Sequence, residues 1–144
     1  MEPLKQWICD RCGEVIERPE DGYVFWKKPN FKNEDFQIVH HVRCNLDQSY
    51  TQSMDLRRFL GADGLVRLLS KLDPGSMHQP NHQCEVSNMR EFVEFFRRLQ
   101  LPYYEEARIY WGVAKDDGFF SDANEVWIYL PSTLKELIQQ YRGT

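Results

Sequence analysis

Cys9 and Cys12 stand two residues apart in "WICDRCG", and His41 and Cys44 repeat that gap further along in "IVHHVRCN". Thiolate sulfur and imidazole nitrogen are preferred zinc donors. A CxxC turn lets two sulfurs reach one ion at about 2.3 Å. Gly13 follows at once and supplies a residue tolerant of positive φ where the chain reverses. A lone CxxC would serve equally as a redox dithiol, but that use wants a strand on one side and a helix on the other, which "WICDRCGEVIE" does not offer. The second pair therefore decides for metal. The expected ligands are Cys9, Cys12, His41 and Cys44, and the expected cofactor is zinc. Four protein ligands leave no open position for water, so the ion is expected to be structural.

The choice between the two histidines is not fixed by spacing. Along an extended strand Phe36, Ile38 and His40 share one face and His41 points to the other. If the chain turns helical there, His41 and Cys44 face the same side. We take His41 as the ligand. The stretches "CDRC" and "HVRC" together resemble the ligand pattern of treble-clef zinc fingers and of the first zinc site of LIM domains, over about residues 7–45. That resemblance implies a small zinc-bound module, without the second zinc site of a LIM domain. "IVHH" also bears a faint similarity to the start of the HNH nuclease motif, which implies a metal-dependent nuclease or nucleic-acid-binding factor as the alternative function. The downstream half of that motif is missing.

Several elements must position these residues. "GYVFWKK" (22–28) and "FQIVHHV" (36–42) are aromatic and β-branched, with the turn-like "PNFKNED" between them, and predict a hairpin that brings the two ligand pairs together. Beyond Cys44, "SMDLRRFL" is expected as a short helix, and Leu65, Leu68, Leu69 and Leu72 have helical spacing up to "DPG". The loop "PGSMHQPNHQCEVS" carries His78, His82 and Cys84, but Pro80 argues against the helix that would aim the two histidines together. A helix capped by Asn88 and Glu91 is expected to bury Met89, Phe92, Val93, Phe96 and Leu99. Another starts at Pro102 and packs Tyr103, Ala107, Tyr110 and Ala114, with Glu105 and Glu106 in water. "EVWIYL" reads as a short extended segment. The last helix follows Pro131, with Leu134, Leu137, Ile138 and Tyr141 on one face and Thr133 with Glu136 as its capping box.

The expected fold class is α+β: a zinc-bound hairpin module over 1–50 and a mainly helical domain over 51–144 with a core of its own. Hydrophobic residues at 42% and aromatics at 14% supply enough large side chains to fold. The net charge of −4 and the lack of any concentrated cationic stretch weigh against nucleic acid, whose phosphates reward clustered Lys and Arg. No apolar run reaches the length of a membrane span, and the N-terminus lacks a signal-peptide pattern, so a cytoplasmic protein is expected. Reduced thiols fit that compartment. No phosphate loop, nucleophile elbow or dinucleotide fingerprint is present. The function that remains is a non-enzymatic binding or adaptor module whose partner is another protein.

Overall fold

A computed structural model describes residues 1–77, 85–121 and 126–143. Two short strands, β1 (Trp7–Ile8) and β2 (Val15–Ile16), pair antiparallel and bracket the first cysteine turn. The expected hairpin follows as β3 (Gly22–Lys27) and β4 (Lys32–His40), with Gly22 opposite His40 and Val24 opposite Ile38. Alternation in β3 divides its faces. Val24 and Trp26 are buried against the core, while Tyr23, Phe25 and Lys27 are partly exposed.

The segment expected as a short helix begins instead as β5 (Gln52–Asp55), and only Leu56–Phe59 coils, as a 3-10 turn. A helix of that length is marginal alone. Pairing with the open edge of β3 satisfies backbone groups and lays Met54 across from the buried Val24. A last short strand, β6 (Glu85–Val86), runs parallel to β4, so the main sheet has the order β5-β3-β4-β6.

Two longer helices pack on this sheet. In α1 (Gly61–Leu72) only Leu68 of the four expected leucines is buried; Leu65, Leu69 and Leu72 remain exposed. In α2 (Met89–Gln100) the Asn88 side chain accepts from the Glu91 N–H at 3.1 Å, as expected of the cap. The Glu91 carboxylate does not fold back; it accepts from the Phe36 N–H of β4 at 3.2 Å, tying helix to strand. The inward face is Phe92, Phe95, Arg98 and Leu99, while Met89 is exposed. Phe36 stacks on Phe95 at 4.6 Å between ring centroids.

The expected helix from Pro102 is broken into α3 (Tyr104–Ala107), a 3-10 turn (Arg108–Tyr110) and α4 (Trp111–Asp116). Tyr103, at φ 71, lies outside the helix and resets the chain direction. Glu105 then turns inward, and Ala107 and Ala114 are buried beside α5 (Pro131–Tyr141). Leu134, Leu137, Ile138 and Tyr141 are buried as expected, but Pro131 begins this helix after Leu130, leaving Thr133 inside its first turn rather than at its cap. Trp127–Tyr129 is a 3-10 turn; Glu125, at the start of "EVWIYL", lies outside the described residues, as do His78, His82 and Cys84.

The fold is α+β. Its apolar side chains form two clusters. One joins Trp7, Cys9, Ile16, Val24 and Ile38 to Phe59, Leu68, Phe92, Phe95 and Leu99, so it takes residues from both sides of position 50. The other holds Tyr104, Ala107, Ala114 and the inner face of α5. Among the described residues no helix is long and apolar enough to cross a membrane.

Candidate metal centre

The turn after β1 is closed by two backbone bonds. Gly13 N–H donates to the Cys9 carbonyl at 2.9 Å, and Cys9 N–H donates to the Glu14 carbonyl at 2.9 Å. Gly13 takes φ 78, the conformation anticipated for it. The N–H groups of Arg11 and Cys12 point back at the Cys9 sulfur, at 3.4 and 3.5 Å, where they stabilise a thiolate. At the end of β4 a second turn forms: Arg43 N–H donates to the His41 carbonyl at 2.7 Å and Cys44 N–H to the His40 carbonyl at 3.3 Å. Asp10 joins the two turns, its N–H donating to the Ile38 carbonyl at 2.8 Å and its carboxylate accepting from the Ile38 N–H at 2.7 Å.

These turns bring Cys9, Cys12, His40 and Cys44 together, with one donor atom from each and all four atoms within 4.8 Å of one another. His40 Nδ1 lies 3.4 Å from the Cys12 sulfur and 3.7 Å from the Cys44 sulfur. A tetrahedral zinc with ordinary bond lengths sets a sulfur and a nitrogen ligand about 3.6 Å apart. The spacing therefore suits one ion held by all four residues. His40 Nε2 lies 3.1 Å from the Val15 carbonyl. A carbonyl only accepts, so the proton sits on Nε2 and the Nδ1 lone pair faces the sulfurs. Metal-bound histidines are oriented in the same way by their second nitrogen.

His41, the ligand expected from the sequence, is not brought to the cysteines. β4 stays extended through His40, so His40 continues the inward face of Phe36 and Ile38, and His41 falls on the opposite face. There its ring stacks on Tyr23 at 4.5 Å between centroids. The alternation that separates the two histidines was visible in the sequence; what was not visible was where the strand ends.

Burial opposes ionisation at Cys9, but the N–H groups and His40 around it outweigh that and bring its thiol down to about 6. Cys44 is pushed the other way, to about 11, first by burial and then by the neighbouring Cys9 and Cys12 sulfurs. Three sulfurs this close repel as thiolates, and a divalent cation among them removes that repulsion.

Behind the first turn lies a group of charges that includes the buried Glu105, which the sequence reading put in water. Arg98, buried on α2, donates to both carboxylate oxygens of Glu105 (2.8 and 2.9 Å), to Asp10 (2.9 and 3.1 Å) and to the Ile8 carbonyl (3.1 Å). Glu105 also accepts the Ile8 N–H at 2.9 Å. The Trp7 indole donates to the Arg98 carbonyl at 2.9 Å. Burial alone would weaken the guanidinium; the two carboxylates hold its pKa above the ordinary arginine value. No pattern of spacing marks Asp10, Arg98 and Glu105, because they come from the first turn, α2 and α3. Among the described residues no buried side-chain nitrogen or oxygen lacks a partner.

No protein-family model, curated protein or solved structure matches the chain.

Proposed function

We propose that Cys9, Cys12, His40 and Cys44 hold a structural zinc ion, and that the chain acts as a non-enzymatic module that binds another protein. The observation that carries this reading is the geometry of His40. Its Nδ1 faces three sulfurs and its Nε2–H is consumed by the Val15 carbonyl, so neither nitrogen is left to move a proton. Three sulfurs and one nitrogen favour zinc over calcium or magnesium, which prefer oxygen. With four protein ligands in place the ion has no position for a reacting water.

The groove beside His40, of about 350 Å³, is lined by Glu17, Glu20 and Asp21 against the single cation Arg43. Such a lining repels a phosphate backbone, which counts against the nuclease alternative. The test is elemental analysis of protein purified without added metal, paired with a cleavage assay. One zinc per chain is expected, and no cutting of plasmid or single-stranded DNA or RNA with magnesium, manganese or zinc. A folded chain with under about 0.2 metal ions overturns the zinc reading. Nicking that is abolished by His41→Ala with zinc retained replaces the binding module with an enzyme.

A further inference from the structure

We propose that the outer edge of β5 captures an extended peptide whose side chains alternate between apolar and acidic. The proposal deepens the binding-module half of the reading above and does not use the metal half.

Among the described residues β5 pairs on one side only, with β3, and it is the terminal strand of its sheet. An open edge presents a row of backbone donors and acceptors, and proteins usually block such edges with lysine, proline or a bulge. β5 reads Gln-Ser-Met-Asp and keeps an unbroken register with β3 from Gln52 to Asp55, so it has no lysine, proline or bulge, and its four residues offer a short edge. A groove flanks the edge on each face of the sheet. On the helix side, Met54, Phe59 and Val66 line a groove of about 450 Å³ together with Asp63, Arg67 and Lys71. On the other face Tyr23, His41, Ser53, Arg57 and Arg58 line one of about 660 Å³.

A strand added to a sheet edge sends successive side chains to opposite faces. Along β5 it would therefore place every second residue in the apolar groove and the others in the cationic one, the arrangement used in peptide capture by strand addition. Val66 is 63% exposed and offers the first set an apolar contact. In the second groove Asp55 is paired with Arg57 at 2.8 Å, while Arg58 has no carboxylate partner among the described residues. In a chain of net charge −4, Arg58 in the second groove selects acidic side chains for that face of the peptide.

The probe is a capped eight-residue peptide alternating valine and glutamate, titrated into the metal-loaded full chain and followed by backbone amide shifts. Saturable shifts centred on Gln52–Asp55 and on residues 66–71 are expected, with Kd on the order of 10 to 100 µM. Arg58→Glu and Val66→Glu should each weaken binding at least tenfold with metal content unchanged. N-methylation of alternate peptide amides should abolish binding in one register and spare it in the other, since only one set faces β5. No saturable binding up to about 1 mM, equal binding of a valine–lysine peptide, or shifts confined elsewhere overturns the proposal. So does tighter binding of a single-stranded oligonucleotide to the same residues, or a doubling of mass in which β5 amides shift on concentration alone. Metal is assayed in each sample. A zinc-loaded chain that ignores the peptide removes this inference and leaves the structural-metal reading standing; a metal-free chain that binds it does the reverse.

Discussion

Replacing His40 with alanine removes the one ring nitrogen aimed at the three sulfurs, whereas replacing His41 removes only a stacking partner of Tyr23. Elemental analysis should therefore find most of the metal lost from His40→Ala and kept in His41→Ala, with Cys12→Ser and Cys44→Ser behaving like His40→Ala. Structural zinc is worth on the order of 10 kcal/mol in small finger peptides, so loss of one ligand should also be visible as unfolding. Metal retention should depend on pH with a definite sign. The bound form holds its thiols deprotonated, while without metal burial and the neighbouring sulfurs push Cys44 up to about 11, and burial of Cys9 is outweighed by the N–H groups around it, which bring it down to about 6. Affinity should thus rise with pH through neutrality, because at least the Cys44 proton is displaced, and fall more steeply below about 6, where Cys9 is protonated as well. Competition with a chromophoric chelator across pH 5 to 9 measures this; a flat profile would contradict it. The buried charges make a separate prediction. Arg98→Met takes the shared guanidinium from Asp10 and Glu105, leaving Glu105 only the more distant Arg108 at 3.5 Å, and should cost about 3 to 5 kcal/mol in denaturant unfolding. Arg98→Met combined with Glu105→Leu should recover part of that loss, since a buried apolar pair tolerates the site better than a lone carboxylate.

The turns and helix starts carry their own tests. Gly64 lies inside α1, where alanine ordinarily gains up to about 1 kcal/mol of helix propensity. A Cβ there would overlap the Phe59 backbone, which has no soft side chain to yield. The clash should win, so Gly64→Ala should destabilise by about 1 to 3 kcal/mol, and a rise in Tm would show the contact to be loose. Val42 poses the opposite case. It is exposed, β-branched and held at φ 68 in the turn between His40 and Cys44. The left-handed conformation costs about 1 to 2 kcal/mol for such a residue. Val42→Gly relieves that strain but loosens the unfolded chain by roughly 0.5 to 1 kcal/mol. The net effect should be neutral to slightly stabilising in thermal unfolding, and a clear loss would mean that the valine side chain has a role in the turn. These same elements show how local signals read. The Asn88 cap and the Gly13 turn form as their residue types require, since both use contacts within a few positions. "SMDLRRFL" does not, because the backbone groups of β3 are a stronger partner for it than its own turns.

At the scale of the molecule the two turns that carry the cysteines are part of the larger core. Cys9 and Cys44 belong to the apolar cluster that includes Phe92, Phe95 and Leu99 of α2, and Arg98 ties that helix to Asp10 between the two cysteines of the first turn. Removing the metal should therefore release β1 to β4 and α2 together. In hydrogen exchange with chelator, amides of residues 92–99 should lose protection in the same step as those of residues 22–40. Retained protection in α2 while the hairpin opens would show that the first 50 residues stand as a unit apart from the helices, as the sequence alone had suggested. From the sequence came the α+β class, the hairpin that closes the site, Cys9, Cys12 and Cys44, and the inner face of α5, all set by residue type and by periodicity over short distances. The tertiary structure decided the rest. His40 rather than His41 meets the cysteines because pairing with β3 keeps β4 extended to its last residue; Glu105 leaves water because Arg98, seven positions away and on another helix, is desolvated beside it; and three of the four α1 leucines stay exposed because only Leu68 reaches the core cluster. Each outcome depends on which surface a distant element presents, and a short window of sequence contains no record of that.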